Sequence, residues 1–412
     1  MKEITKSRKL DGICYDVRGP VLDMANEMER DGARILKLNI GNPAPFGFSA
    51  PDAVLRAVRD GLAGSQEYSD SKGIMEAREA IAVYYRDKKN IPGVTPEDIY
   101  TGNGLSELIN ICMQALLDHG DEILIPSPDY PLWTATATLA GGTAVHYLCD
   151  ERSDWEPDVE DMRRKITPHT RAIVIINPNN PTGALYSDET LLKIASLARE
   201  HGLIVFADEI YDRLVMDGHK HTSFAALAPD LPVVTMSGLS KSHLIAGYRI
   251  GWICVSGDRS VMSSYVEGLN MLSSMRLCSN VQAQHAVKAA LSPECLSESQ
   301  LMLRPGGRIY EQRECVCNAL TEIDGITLVR PKAAFYVFPR IDAKRFGIVN
   351  DERFVLDFLR EKHVLLIHGG GFHWNSPNHF RVVYLPEVDV LCEAIGKLGE
   401  FLGSYWQGQV SA

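Results

Sequence analysis

Residues 172–212 read AIVIINPNNPTGALYSDETLLKIASLAREHGLIVFADEIYD. Two short β-branched runs, AIVIIN at 172–177 and LIVFAD at 203–208, flank a helical stretch, SDETLLKIASLAREHG at 187–202. A strand–helix–strand order of this kind reads as a βαβ unit with parallel strands covered by helices. The pattern extends outward on both sides, to EILIP at 122–126 and VVTMS at 233–237. The expected fold class is α/β, a mostly parallel sheet covered by helices in a large domain at about residues 50–300.

Both ends of the chain differ from this middle. Residues 1–49 are rich in turn signals (RGP, GNPAP, FGF) and suggest an arm that also contributes to a smaller domain. From about residue 301 to 412 the pattern becomes a long helix, the runs TLV and AFYVFPRI, a helix at 351–363, then VLLI, FRVVYL and a last helix. This suits a smaller α+β domain.

The 412 residues are 45% apolar, enough for a large core and two or three domains. The formal charge is −11 and no block of five or six basic residues occurs, which argues against nucleic acid or an anionic membrane as partner. Small molecules are the default partners. The nine cysteines are scattered, and the one close pair, Cys315 and Cys317, lacks the spacing of a zinc or redox motif, so core thiols in a reducing compartment and no metal are expected. The opening MKEITKSRKLDG has no apolar core of a leader, and no later apolar run approaches the roughly 18 residues that span a membrane. A cytoplasmic, soluble protein is the expectation.

Open parallel sheets bind ligands just beyond the carboxyl ends of their strands. There AIVIIN runs into Asn177, Asn179, Asn180 and Thr182; LIVFAD ends at Asp208, with Tyr211 close behind; VVTMS leads to Ser237, Ser240 and Lys241. Upstream, IYTGNGLSELI has the form of strand end, glycine turn and helix start, so Gly104, Leu105 and Ser106 would offer backbone N–H groups to an anion. Singly, each has a plain reading: the glycine turn as a turn, Asp208 as a helix N-cap, Tyr211 as a core aromatic. Lys241 is harder to explain that way, because its apolar surroundings, GLSKSHLIAG, give it little reason to lie on a solvated face. Pyridoxal phosphate asks for this set: an amine for its aldehyde, a buried carboxylate for its protonated ring nitrogen, donors for its phenolate and a cradle for its phosphate. Lys241, Asp208, Tyr211 with Asn180, and the Gly104 turn with Arg249 answer these needs in turn.

The stretch GLSKSHLIAGYRIG, with Lys241 followed eight residues later by Arg249, resembles the cofactor attachment signature of the class I pyridoxal-phosphate-dependent aminotransferases, and NPNNPTG and ADEIYD resemble that family's other hallmarks. The resemblance covers nearly the whole chain and implies the fold type I architecture. CYDVRGP, LNIGNPAPFGF, SPDYPLWTA, VHYLCDE and EGLNMLSSMRLCSN are most similar to the bacterial alanine (glutamate–pyruvate) aminotransferases. What it implies is transamination between L-alanine and 2-oxoglutarate by a homodimer, with Lys241, Asp208 and Tyr211 in the chemistry. Tyr130 takes the place of the aromatic stacked on the cofactor ring, and Tyr68 that of a phenol sent to the phosphate of the partner subunit. Arg381 takes the place of the arginine that grips the α-carboxylate, near the backbone of Gly41. Gly238 departs from the pattern, since some members carry a phosphate-binding serine there; Ser240 or Ser106 would compensate.

Glutamate brings a second carboxylate, costly to bury without a cation. Arg18 of YDVRGP and Arg276 of SSMRLCSN are the candidates; Arg18 is preferred because the arm could close over the site, with Tyr15 lining the same lid. The bonds Ser127–Pro128 and Asn180–Pro181 are expected to be cis, to turn their side chains sharply toward the ring. Rival readings fare less well. A dinucleotide-dependent dehydrogenase would need a third glycine in GNGLSE and leaves Lys241 unexplained, and a ligand-sensing regulator would need a basic DNA-binding module before residue 50. An aminotransferase of other donor preference, or a C–S β-lyase, would share every cofactor contact.

Overall fold

Alternate residues of the central strands pack into two different apolar clusters, and that alternation defines the main body. Leu124, Ile173, Ile175, Val205 and Ala207 face one cluster. Ile123, Ile125, Ala172, Val174, Ile176, Ile204 and Phe206 face the other. Both faces of the sheet are thus buried, the environment that selects unbroken β-branched runs. The structure, a computed structural model, describes residues 3–11, 13 and 19–408.

In chain order the first strands are β1 (Leu36–Lys37), β2 (Ile99–Asn103), β3 (Glu122–Ser127), β4 (Thr143–Asp150), β5 (Glu156–Pro157), β6 (Thr170–Ile176), β7 (Ile204–Asp208), β8 (Val233–Gly238) and β9 (Ile250–Ser256). Eight of them form one sheet in the order β2-β9-β8-β7-β6-β3-β4-β5. The neighbours from β8 through β4 run parallel, and β2, β9 and β5 join antiparallel to their neighbours.

The helix Asp188–His201 shows why the connection between β6 and β7 folds as it does. Ser187 caps it by accepting the Thr190 N–H, acidic residues occupy the first turn and Arg199 and His201 the last, and Gly202 stops it at φ 64°. Leu191, Ile194, Ala195 and Ala198 recur at helical spacing and are buried against the sheet. Burial of each Leu or Ile there is worth about 2 kcal/mol.

The C-terminal part adds β10 (Ile326–Thr327), β11 (Tyr336–Val337), β12 (Arg340–Ile341), β13 (Val364–Leu365), β14 (Ile367–His368) and β15 (Phe380–Val383), with β15 between β11 and β14. Two expected strands are split. AFYVFPRI breaks between β11 and β12, where Pro339 has no N–H to continue a ladder. VLLI changes partners midway, β13 pairing with β1 and β14 with β15. Residues expected to form an arm include a regular helix, Pro20–Arg30, whose Val21 and Ala25 share an apolar cluster with residues between 303 and 402. The peptide bonds Ser127–Pro128 and Asn180–Pro181 are cis as expected, and Asn177–Pro178 is cis as well.

Candidate active site

Because β2 opposes β9 and β9 opposes β8, β2 and β8 run in the same direction as β7 and β6. Their carboxyl ends therefore share one edge of the sheet. The register sets Asp208 directly between Ile176 and Met236, so the turns leaving β6 and β8 flank it. A cavity of about 180 Å³ opens at this edge. Of the residues singled out in the sequence, Gly41, Leu105, Ser106, Tyr130, Asn180, Asp208, Tyr211, Ser240, Lys241, Arg249 and Arg381 line it.

Lys241 Nζ donates to the Gly41 carbonyl at 2.7 Å. Gly41 has no room for a side chain, since a Cβ there would run into the Tyr336 hydroxyl. Asp208 is buried, with Trp133 Nε1 donating to it at 3.2 Å and the Ile210 N–H at 3.3 Å. Burial pushes its carboxyl up to about 6, the two hydrogen bonds offsetting only part of the desolvation. Among the described residues no cationic side chain pairs with it. The Tyr211 and Tyr336 hydroxyls share a 2.8 Å hydrogen bond, and burial raises the Tyr211 phenol well above its usual value.

Arg381 is the mirror case. Its guanidinium is buried between the rings of Tyr336 and Phe372, each at 4.6 Å. It donates to Asn180 Oδ1 at 2.8 Å and to the Asn39 carbonyl, while Nε has no partner and no carboxylate among the described residues pairs with it. Desolvation lowers its pKa. A buried cation without a counter-ion and a buried acid without a cation on the walls of one cavity are the donor set for a ligand that carries both complementary groups.

At the β2 end, Gly104 has φ 79° and caps the helix Leu105–Leu116, whose first N–H groups lack intrahelical partners. A Cβ at Gly104 would meet the Arg249 guanidinium, so glycine lets the arginine sit over the turn. Arg249 donates to the Ala246 and Asn103 carbonyls at 2.9 and 3.2 Å. Gly238, where some family members have serine, lies in β8 opposite Gly251, and a Cβ there would come to 2.9 Å from the Ile250 carbonyl. That crowding accounts for the departure. The hydrogen-bond donors this end of the cavity offers are Ser106, Ser240, Arg249 and the helix N–H groups.

Other expected residues stand elsewhere. Tyr68 is 76% exposed and does not line this cavity. Arg276 does not line it either; it is held by Glu107 at 2.5 Å and by the Ser71 and Thr101 carbonyls. Tyr15 and Arg18 lie outside the described residues. Asn177 and Asn179 hold the 177–186 turn, accepting from the Tyr186 and Thr182 N–H groups. Tyr336, Trp133 and Phe372 were not singled out. Their signal was weak, for AFYVFPRI reads as an ordinary strand and a tryptophan two residues after a proline turn reads as core.

A second cluster supports Tyr130 from behind. Asp129 is buried, accepts from Thr134 Oγ1 at 2.8 Å, and is met by His373 Nδ1 at 2.8 Å and His146 Nε2 at 3.7 Å. The two imidazole rings stack at 4.6 Å. Burial alone would raise Asp129, but the two imidazoles beside it, His146 and His373, outweigh it and hold the carboxyl below its usual range. The Asp129 N–H donates to the Phe372 carbonyl and Ser127 Oγ to the His373 carbonyl, at 3.0 and 2.7 Å. The turn carrying Tyr130 is thereby tied to the segment whose Phe372 stacks on Arg381.

Comparison with known proteins agrees with this architecture. Residues 33–395 match the family Aminotransferase class I and II. The chain is 54% identical over 408 residues to the glutamate-pyruvate aminotransferase AlaA of Escherichia coli strain K12, covering 99% of this chain and all of that one. It is 50% identical over 406 residues to the alanine aminotransferase of Mycobacterium tuberculosis strain H37Rv, covering 98% and 94%. A crystal structure of an aminotransferase from Escherichia coli superposes with a TM-score of 0.96 at 54% identity, over 98% of this chain and 100% of that one. With the family match spanning most of its length, the chain belongs to the class I and II aminotransferases.

Proposed function

We propose that this aminotransferase exchanges the amino group between L-alanine and 2-oxoglutarate, forming pyruvate and glutamate, with pyridoxal 5′-phosphate as cofactor. The observation that carries the reading is the pairing of an uncompensated buried acid, Asp208, with an uncompensated buried cation, Arg381, around Lys241. The names of the relatives at 50–54% identity favour alanine, pyruvate and glutamate over other substrates. When bound, the cofactor supplies a carbonyl that takes up the amino group and a ring that delocalises the electrons left at Cα.

The chain's own residues do the rest. Lys241 would hold the cofactor through its amine and, when that amine is free, would move the proton between the substrate Cα and the cofactor's reacting carbon, with the Gly41 carbonyl orienting the amine. Asp208 would keep the ring nitrogen protonated, and that cationic nitrogen would supply the counter-charge Asp208 lacks. Asn180 and Tyr211 would donate to the phenolate oxygen, and Tyr130 would cover the ring. The helix start at Leu105 and Ser106, with Gly104, Ser240 and Arg249, holds the phosphate. Arg381 grips the α-carboxylate with the donors its environment leaves free. Arg18, with Tyr15 beside it, is our choice for glutamate's second carboxylate, because Arg276 is already engaged by Glu107.

We further read the active unit as a homodimer in which Tyr68 completes the phosphate site of the partner subunit, and the chain as an N-terminal segment to about 49, a large domain to about 300 and a C-terminal domain. Half-reaction spectra of the purified holoenzyme against a panel of amino acids test the substrate reading. Alanine and glutamate should convert the cofactor without release of ammonia. Ammonia release from a cysteine conjugate, or no response to alanine, overturns it. Arg18→Ala should weaken glutamate and 2-oxoglutarate more than alanine and pyruvate, and equal losses would reduce the arm to a general lid.

A further inference from the structure

The sulfurs of Cys315 and Cys392 lie 2.9 Å apart, although 77 residues separate them in sequence. Cys315 is half-buried on the helix Arg308–Thr321, and Cys392 is exposed on the first turns of the helix Val388–Leu402. Their closeness follows from a seat built by other residues. Gln312, on the same helix as Cys315, donates to the Leu385 and Pro386 carbonyls at 2.9 and 2.7 Å. Arg308 pairs with Glu387 at 2.6 Å, and Cys315 itself donates to the Val388 carbonyl at 3.7 Å. Three consecutive turns of one helix thus hold the segment that opens the other and present the two sulfurs to each other across the helix pair.

Two thiols with no third ligand do not make a zinc site. The only described group of three or more candidate ligands is Asp129, His146 and His373, far from these residues in sequence and sharing none of them. The geometry points instead to a redox-responsive dithiol: we propose that hydrogen peroxide closes Cys315 and Cys392 to a disulfide that staples the two helices together. The exposed Cys392 meets the oxidant first. Its sulfur attacks one peroxide oxygen, the O–O bond breaks and one water leaves, giving a sulfenic acid. The Cys315 sulfur then attacks the Cys392 sulfur, the S–O bond breaks, and the Cys315 proton leaves with the hydroxyl as a second water. Two electrons and two protons pass from the thiols to the peroxide, and a dithiol reductant reverses the change. Burial pushes the Cys315 thiol up to about 12, which leaves the first encounter with oxidant to the exposed Cys392, and Cys315 joins the second step by virtue of its position against that sulfur.

The holoenzyme, reduced and freed of reductant, is treated with stoichiometric hydrogen peroxide, alkylated and digested without reduction. The expected result is one linked peptide pair joining Cys315 to Cys392, two fewer titratable thiols per chain, and full reversal by dithiothreitol. Because the bond closes a long loop, the oxidised protein should unfold roughly 5 °C higher. In Cys315→Ser, oxidation should stop at a sulfenic acid on Cys392, trapped by dimedone, and Cys392→Ser should give no linked pair. Over-oxidation of Cys392 in the unaltered protein with no linked pair, a link through other cysteines, or a linked pair whose unfolding temperature does not rise overturns the proposal, whatever the variants do.

Discussion

Asp208 and Asp212 stand four residues apart on one turn, and both are buried. Asp212 has Lys89 Nζ at 2.6 Å, Arg213 Nε at 3.2 Å and the Tyr84 hydroxyl at 3.1 Å. Burial works to raise its carboxyl, but Lys89 and Arg213 hold it far below the usual range. Asp208 has only two long hydrogen bonds from neutral donors, and burial lifts it to about 6. The two arginines repeat the contrast. Arg313 is met by both Asp217 oxygens at 2.5 and 2.8 Å, whereas Arg381 is sandwiched by aromatic rings with no carboxylate partner among the described residues. Away from the cavity the chain supplies Asp212 and Arg313 with their partners. At the cavity it withholds one, and the missing partners describe the ligand.

The largest expected effect falls on the residue between the two uncompensated charges. Lys241→Ala should lower the transamination rate by roughly 10⁴-fold, and borohydride reduction of the unaltered holoenzyme should place the cofactor on the peptide carrying Lys241. Label on another lysine would break the comparison at its centre. Next, Arg381→Ala should cost about 3 kcal/mol, near a hundredfold in kcat/KM, for all four substrates alike, because the α-carboxylate is common to them. A loss confined to glutamate would move Arg381 to the other end of the substrate.

The two aspartates can then be set against each other. Asp212→Asn strands Lys89 and Arg213 in the interior and should cost about 3–5 kcal/mol of stability in urea unfolding. Asp208→Asn should leave the cofactor-free protein no less stable and still remove most of the activity, since an amide cannot hold the ring proton. The pH dependence sharpens this. Asp208's folded value lies above its ordinary 3.8, so its contribution is complete below that pH and is lost as pH rises through about 6. The cofactor-free protein should thus give up as much as about 3 kcal/mol across that window, and Asp208→Asn should not. Equal pH profiles for the two proteins would show that Asp208 is compensated after all.

The smallest effect concerns Asp129. Its folded value is depressed, so its contribution is present above about pH 3.8 and is lost as pH falls through the folded value. His373→Ala should cost about 1 kcal/mol near neutrality and raise KM through a looser Tyr130, with the stability difference shrinking in acid. A constant difference down to the acid limit would assign His373 to packing alone.

Much of this molecule can be read from local pattern, because unbroken β-branched runs and capped helical stretches declare a sheet buried on both faces, and the strand ends name their polar residues. NPNNPTG, ADEIYD and GLSKSHLIAGYRIG carry their chemistry within a few residues each. Tyr336 escaped that reading because an aromatic residue in an apolar run looks the same whether it packs a core or walls a cavity, and Trp133 and Phe372 because they act through Asp208 and Arg381 rather than on the cavity wall. The split of VLLI escaped it because β13's partner, β1, lies hundreds of residues away in sequence.

By itself, then, the sequence pointed to the α/β class, the sheet edge that lines the cavity, and Asp208 and Lys241 there, since backbone propensity and burial act within short windows, while Arg381 was legible only through the resemblance to the family. Only the tertiary structure decided which buried charges go unpaired, that Arg276 is spent on Glu107, that Gly238 is crowded by Ile250, and that Cys315 faces Cys392 and not its neighbour Cys317. Those outcomes depend on which side chains meet across the packed elements, and no local window contains both members of such a pair.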